Sequence, residues 1–120
     1  MPRVVHFEIG ADDPERAIAF YRDVFHWQID ETYPDQEYWP IRTGSEEEPG
    51  INGGLFRRQG AVHVIPTIQV PSVDEYAAQV QAHGGQVVVG KQTIPGMGYL
   101  AYCQDTEGNL LGILQEDQTV

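Results

Sequence analysis

The sequence predicts an α+β domain of two βαβββ modules, residues 1–58 and 59–120, whose strands form a cup-shaped mixed sheet. Short apolar runs and helical patterns follow the order strand, helix, then three strands, and this order occurs twice. The segment Gly53–Arg57 aligns with Leu111–Gln115 at an offset of about 58 residues, which is too long for a solenoid repeat. A single helix covers one face of each four-stranded sheet, so the uncovered faces would line a cavity.

The first predicted strand, Val4–Ile9, carries two ionisable side chains in an apolar run. Side chains alternate between the two faces of a strand, so His6 and Glu8 share one face. Phe7 and Ile9 lie on the opposite face, which is the natural core face. The face with His6 and Glu8 is therefore where a site is expected.

Helix signals separate the strands of each module. Asp12 or Asp13 caps the first helix, and Ser72 begins a capping box for the second. Pro40 predicts that its strand is an edge strand or is bulged. The predicted elements are strand 4–9, a helix from 14 to about 26, strands 27–29, 38–41, 51–57 and 62–70, a helix from 73 to about 83, and strands 86–89, 99–104 and 110–115, with a polar connection over 30–37.

Composition excludes several classes of partner. The 120 residues carry a formal net charge of −11, which disfavours nucleic acid and anionic membrane surfaces. No apolar run approaches the roughly 20 residues that span a bilayer. Cys103 is the single cysteine, so an internal disulfide is excluded, and we expect an inert thiol in a reducing, cytoplasmic location.

The uncovered sheet faces carry the candidate site residues. His6 and Glu8 are the candidate catalytic pair, because a nearby carboxylate raises a histidine pKa towards working pH; a buried ion pair that sets strand register is the structural alternative. Aromatic and small residues on these strands predict a cavity for a flat or apolar ligand. Residues 94–98 form either a lid or a simple connection. The predicted ligand-binding residues are His6, Glu8, Trp39, Asn52, Gly54, Phe56, Thr67, Met97, Tyr99, Tyr102 and Gly112.

The chain resembles a known superfamily. The resemblance is carried by the duplicated βαβββ pattern, His6 on the first strand, residues 13–17 leading to Phe20-Tyr21, and residues 105–109 before the last strand. These features resemble the glyoxalase / bleomycin-resistance / extradiol-dioxygenase superfamily, which has the vicinal oxygen chelate fold. Residues 50–54 and 94–99 are similar to its small stand-alone, glyoxalase-related branch. The resemblance covers nearly the whole chain and implies a homodimer.

The resemblance also implies where a divalent metal would be held. Metal enzymes of this superfamily take one ligand from the first and fourth strand of each half. His6 matches the first ligand position, but the other three positions fall on Ile65, Gly54 and Gly112. A lone imidazole does not hold a divalent ion, so no cofactor is expected. The alternative is a divalent metal held by substitute ligands: Glu8, Gln69 or Glu37.

Three functions follow as hypotheses. The first is a glyoxalase-like protein that binds a small organic molecule in the sheet cup without a family-type catalytic metal. The second is a metal-dependent lyase or dioxygenase that uses substitute ligands around His6 and Glu8. The third is a resistance protein that sequesters an antibiotic, a role that the net charge of −11 fits but does not require.

Overall fold

A computed structural model describes residues 1–31 and 34–120. In these residues, eight strands and two α-helices follow the predicted order, which confirms the α+β class and the repeated βαβββ pattern. Residues 32 and 33 of the predicted polar connection lie outside the described residues. Neither described helix has the length and apolarity needed to cross a bilayer. The elements are β1 Arg3–Ala11, α1 Pro14–Phe25, β2 Gln28–Ile29, a 3-10 turn Pro34–Gln36, β3 Tyr38–Arg42, β4 Gly53–Arg57, β5 Val64–Gln69, α2 Val73–Ala82, β6 Gln86–Ile94, β7 Gly98–Gln104 and β8 Leu110–Glu116.

The chain forms two compact units, one of residues 6–65 and one of residues 1–5 with 66–120. In the first unit the strand order is β2-β3-β4-β1, and in the second unit it is β6-β7-β8-β5. In each unit the first and last strands of a module pair in parallel, and the other neighbours pair antiparallel. The two modules therefore share one strand order and one set of pairing directions.

Helix α1 begins where its capping signals predict. The Asp13 side chain accepts a hydrogen bond from the Arg16 backbone N–H at 3.2 Å, and Pro14 opens the first turn. His26 adopts the left-handed conformation with φ of 59° and ends the helix. The helix buries Ile18 in a core with Trp39, Ile41 and Leu55 from β3 and β4. Burying such a side chain stabilises the fold by about 1.5–3 kcal/mol.

Helix α2 repeats this arrangement in the second unit. The Ser72 hydroxyl accepts a hydrogen bond from the Glu75 backbone N–H at 3.2 Å, as the capping box predicts. The core of this unit comprises Val70, Val73, Ala101, Cys103 and Ile113. Burial raises the pKa of the Cys103 thiol, which agrees with an inert core cysteine.

Strand register makes two glycines equivalent. Gly54 on β4 pairs with Glu8 on β1, and Gly112 on β8 pairs with Thr67 on β5. His6 and Ile65 each lie two residues before these partners. The equivalence of Ile65 with His6, expected from the repeat, therefore agrees with the pairing inside each module.

Two local expectations change. β3 is not an edge strand, because it pairs with both β2 and β4 without a register shift. Pro40 is tolerated there because it needs no N–H: its carbonyl accepts from the Asp30 backbone N–H at 2.9 Å. Strand β6 extends to Ile94, so residues 94–98, for which the sequence left a lid and a simple connection open, form a tight hairpin turn. The Met97 backbone N–H donates to the Ile94 carbonyl at 3.0 Å, as expected of a simple connection.

Candidate functional site

A histidine and a tyrosine from different strands form the centre of the candidate site. His6 Nε2 lies 3.0 Å from the Tyr38 hydroxyl oxygen. His6 lies on β1 and Tyr38 on β3, and β4 lies between these strands. Both side chains are half-buried. A hydrogen bond across an intervening strand requires that nothing on that strand separates the two groups.

Gly54 supplies that space. Side chains alternate along a strand, so position 54 faces the same side of the sheet as His6 and Tyr38. A Cβ atom at Gly54 would overlap the Tyr38 phenol. The sequence predicts Gly54 as a ligand-binding residue, but the space above it is occupied by the Tyr38 ring. Glycine is needed at this position because the phenol crosses it to reach His6.

Burial controls the protonation of this pair. Burial lowers the pKa of His6 below its usual value of 6.5, and the negative charge of Glu8 opposes this without outweighing it. Burial also raises the pKa of Tyr38, and Glu8 raises it further. At neutral pH the imidazole is therefore neutral and the phenol is protonated. Glu8 raises the His6 pKa, as the sequence predicts, but desolvation is the larger effect and the net shift is downward.

This arrangement can accept and donate hydrogen bonds without a net charge on either ring. If Nε2 carries no proton, the phenol donates to it; if Nε2 is protonated, the imidazole donates and the phenol O–H is available to another acceptor. A carboxylate, Glu8, lies close enough to both rings to shift their pKa values. Such a group can hold an oxygen-bearing ligand or move a proton at a position beside it.

The equivalent positions of the second module carry different chemistry. Thr67 is 4% exposed and lies opposite Gly112. A Cβ atom at Gly112 would lie 3.2 Å from the Thr67 hydroxyl, 3.5 Å from the Tyr102 ring and 3.6 Å from Leu100. Leu100 takes the register position that Tyr38 has in the first module. The buried Ile65 stands at the position of His6.

Three predicted ligand-binding residues lie elsewhere. Trp39 is a core residue under α1, because alternation along β3 places it opposite to Tyr38. Tyr99 packs against the second core, and Lys91 Nζ lies 4.4 Å from its ring centroid. Met97 is exposed in the β6–β7 turn. For Trp39 and Tyr99 the cause is the same: pocket position was assigned by residue type, whereas alternation along the strand decides the face.

Asn52 and Phe56 lie on or beside the His6 face. The Asn52 side-chain oxygen accepts a hydrogen bond from the Thr43 backbone N–H at 2.9 Å. Phe56 pairs with Gly10, where a Cβ atom would lie 3.0 Å from the Phe56 ring. Phe56 therefore lies on the same face as His6 and presents an aromatic ring there; its role in ligand binding stays a prediction.

The side chains present do not fit a family-type metal centre. Among residues 1–31 and 34–120, no three His, Cys, Asp or Glu side chains are grouped so that they could hold an ion. The proposed substitutes have other partners: Glu37 pairs with Arg57 at 2.9 Å, and Gln69 donates to Glu116 at 3.0 Å. The donor set around His6 is thus an imidazole, a phenol with a raised pKa and one carboxylate.

Sequence reasoning missed Tyr38 as a site residue. The signal that could have found it is the alternation of side chains along β3. Tyr38 and Pro40 alternate with the apolar Trp39 and Ile41, so Tyr38 belongs to the uncovered face. A glycine on the adjacent strand then leaves room for its ring.

Comparisons with known proteins agree with the fold. The family model for the Glyoxalase/Bleomycin resistance protein/Dioxygenase superfamily matches residues 3–113. Two proteins named "Putative glyoxylase CFP32", from Mycobacterium bovis and Mycobacterium tuberculosis, are 29% identical to the chain over 113 residues, which is 90% of this chain. The matched region spans 42% of each of these relatives, less than half of their length.

Two solved structures illustrate the shared fold. A glyoxalase/bleomycin resistance protein/dioxygenase superfamily member from Vibrio splendidus has a TM-score of 0.71 at 17% identity, covering 98% of this chain and 100% of that one. Methylmalonyl-CoA epimerase from Mycobacterium tuberculosis has a TM-score of 0.63 at 14% identity, covering 97% and 89%. The chain belongs to the glyoxalase/bleomycin resistance protein/dioxygenase superfamily.

Proposed function

We propose that this protein binds a small organic molecule on the sheet face that carries His6, Glu8 and Tyr38, and that it does so without a family-type catalytic metal. The observation that carries the proposal is the 3.0 Å hydrogen bond between His6 and Tyr38, with the phenol lying over Gly54. A neutral hydrogen-bonding group, the Tyr38 phenol, therefore lies over Gly54, where the superfamily resemblance implies a metal ligand.

The chemistry of the face supports a ligand with oxygen acceptors. Small-molecule sites combine apolar or aromatic walls with a few placed polar groups. Phe56 supplies an aromatic wall on this face, and His6 and Tyr38 supply polar groups that are neutral at pH 7. Neutral groups on a half-buried face bind carbonyl, hydroxyl or amide groups at a lower desolvation cost than full charges do.

A ligand screen tests this proposal. The probes are propionyl-CoA, aromatic carboxylates, bleomycin and Zn²⁺, each assayed by thermal shift and then by calorimetry. The Tyr38→Phe variant removes one hydroxyl from the site, and Tyr99→Phe is the matched control because Tyr99 packs on the helix side. We expect at least one organic probe whose Kd rises about tenfold in Tyr38→Phe and stays unchanged in Tyr99→Phe.

Equal affinity of wild type and both variants for every organic probe that binds would remove the pair from the binding site. Stoichiometric Zn²⁺ binding that is lost in His6→Ala would overturn the metal-free part of the proposal and favour a metal-dependent lyase or dioxygenase. A thermal shift with bleomycin alone would favour antibiotic sequestration. An organic probe that binds more weakly to Tyr38→Phe, Zn²⁺ binding that depends on His6, and a shift with bleomycin alone therefore distinguish the three hypotheses that the sequence raises.

Assembly and location are further parts of the proposal. The superfamily resemblance supports a homodimer, and the single cysteine supports a cytoplasmic location. Light scattering coupled to gel filtration measures the first, and a mass of one 13.4 kDa chain would contradict it.

A further inference from the structure

A groove lies on the first unit beside the His6–Tyr38 pair. Its volume is about 510 Å³, within the range of small-molecule sites. Strand alternation places Arg42 and Pro40 on the same face of β3 as Tyr38, and Pro40 pairs with Gly54. The groove is therefore adjacent to the pair along one strand. Its lining residues are Gln28, Ile29, Asp30, Pro40, Ile41, Arg42, Asn52 and Gly53.

Arg42 offers a positive charge to this groove. Within the described part of the chain its guanidinium makes no hydrogen bond or ion pair, whereas Arg22, Arg57 and Arg58 each pair with a carboxylate. Acidic residues outnumber basic ones by 18 to 7 in this chain. Among the described residues Arg3 and Arg16 also lack an ion pair, so what distinguishes Arg42 is that it lines the groove next to the His6–Tyr38 pair.

Asn52 adds donors rather than acceptors. Its side-chain oxygen accepts from the Thr43 backbone N–H at 2.9 Å and from the Thr43 hydroxyl at 3.3 Å. A backbone N–H only donates, so the side-chain oxygen faces Thr43 and the two N–H groups of the amide are left for another partner. Arg42 and Asn52 together present donors only, which suits a carboxylate or a phosphate.

One carboxylate among the described lining residues limits where an anion can sit. Asp30 follows β2, and its backbone N–H donates to the Pro40 carbonyl at 2.9 Å. An anionic group over β2 would be repelled by Asp30. The favourable position is therefore above β3 and the start of β4, near Arg42 and Asn52.

We propose that this groove is the subsite for an anionic group, a carboxylate or a phosphate, of the ligand that the His6–Tyr38 pair binds. Arg42 and Asn52 hold the anion, and the rest of the ligand passes over Pro40 towards Tyr38. Four residues of extended chain separate Tyr38 from Arg42, which corresponds to about 13 Å. The ligand class is thus a small organic acid or phosphate ester of roughly that length. This inference rests on the proposed function, since it assigns the second end of the same ligand.

Two small probes test the subsite by itself: succinate and inorganic phosphate, titrated while the side-chain N–H signals of Arg42 and Asn52 are followed by NMR. Arg42→Gln removes the charge, and Arg3→Gln is the matched control because it makes the same change in net charge at another exposed arginine. We expect Kd for the bound probe to rise about tenfold or more in Arg42→Gln and less than about twofold in Arg3→Gln. Binding of succinate alone identifies a carboxylate subsite, and binding of phosphate alone identifies a phosphate subsite.

Asn52→Asp sharpens the test, because it keeps an oxygen for Thr43 and replaces the donating amide by a negative charge. It should weaken anion binding as strongly as Arg42→Gln. Equal affinities of wild type, Arg42→Gln and Arg3→Gln, or no binding of either anion by the wild type, would overturn the subsite. The Tyr38→Phe screen described above is independent of these anions, so loss of the subsite and loss of the proposed function give different results.

Discussion

The two modules share a strand order and a register, yet only one of them carries ionisable groups at the equivalent positions. The first module has His6, Glu8 and Tyr38 around Gly54. The second has Ile65, Thr67 and Leu100 at the equivalent sequence and register positions. The same backbone therefore supports an imidazole, a carboxylate and a phenol at these positions in one copy, and two aliphatic side chains and a buried hydroxyl in the other, where the Tyr102 ring lies beside Gly112.

The comparison shows that the backbone does not determine the chemistry of either face. Each glycine belongs to a strand that pairs in parallel with the first strand of its module. Gly54 is required because an aromatic ring crosses it, whereas a Cβ atom at Gly112 would find its nearest neighbour at 3.2 Å. The two equivalent glycines are thus explained by different physical causes in the two modules.

The largest expected effect comes from adding one methyl group at each glycine. Gly54→Ala should lower the free energy of unfolding by about 1–3 kcal/mol, because the Tyr38 ring must leave its position and lose its bond to His6. Gly112→Ala should change it by less than about 1 kcal/mol, since the Thr67 hydroxyl needs to move only slightly. Urea unfolding of both variants measures the difference.

Combining Gly54→Ala with Tyr38→Ala supplies the control, because removal of the ring removes the overlap. The double variant should lose less stability than the sum of the two single changes. Equal and small effects of Gly54→Ala and Gly112→Ala would show that the two glycines are interchangeable, contrary to the comparison.

A smaller effect is expected from removing one hydroxyl group. Tyr38→Phe should lower the free energy of unfolding by about 1 kcal/mol, because its hydroxyl bonds a half-buried imidazole. Tyr99→Phe should change it by less than about 0.5 kcal/mol, since the Tyr99 ring keeps its contact with Lys91. Denaturant unfolding at pH 7 compares the two, and a larger loss for Tyr99→Phe would contradict the assignment.

The finest test concerns the protonation of His6. Its pKa in the folded state is lowered by burial, so the unfolded chain takes up the proton first as the pH falls through about 6.5. This contribution to stability is therefore fully present above that pH and is lost progressively below it, down to the folded-state pKa. NMR titration of the imidazole should give a pKa below 6.5 for the wild type.

Glu8→Gln tests the smaller of the two causes. Loss of the carboxylate removes the charge that raises the His6 pKa, so the pKa should fall further in this variant. A higher His6 pKa in Glu8→Gln than in the wild type would show that the carboxylate does not act on the imidazole as described.

Local signals predicted most of the elements. The caps at Asp13 and Ser72, the alternation along residues 4–9 and the repeat of the last strands were all readable, because each depends on neighbours in the chain. The assignment of Trp39 and Tyr99 to the cavity was wrong, because aromatic character does not reveal the face on which a residue lies. The prediction that Pro40 marks an edge or bulged strand was also wrong. Pro40 lies in an interior strand, where its carbonyl accepts a hydrogen bond and no N–H is needed.

The amino-acid sequence by itself determined the duplicated α+β pattern, the superfamily resemblance and the place of His6 and Glu8 on one face of the first strand. Only the tertiary structure decided that Tyr38 binds His6 and that burial outweighs Glu8 in the His6 pKa. Hydrophobic periodicity and capping are local properties of the chain. Hydrogen bonding across an intervening strand and desolvation depend instead on register and packing between residues about 30 positions apart.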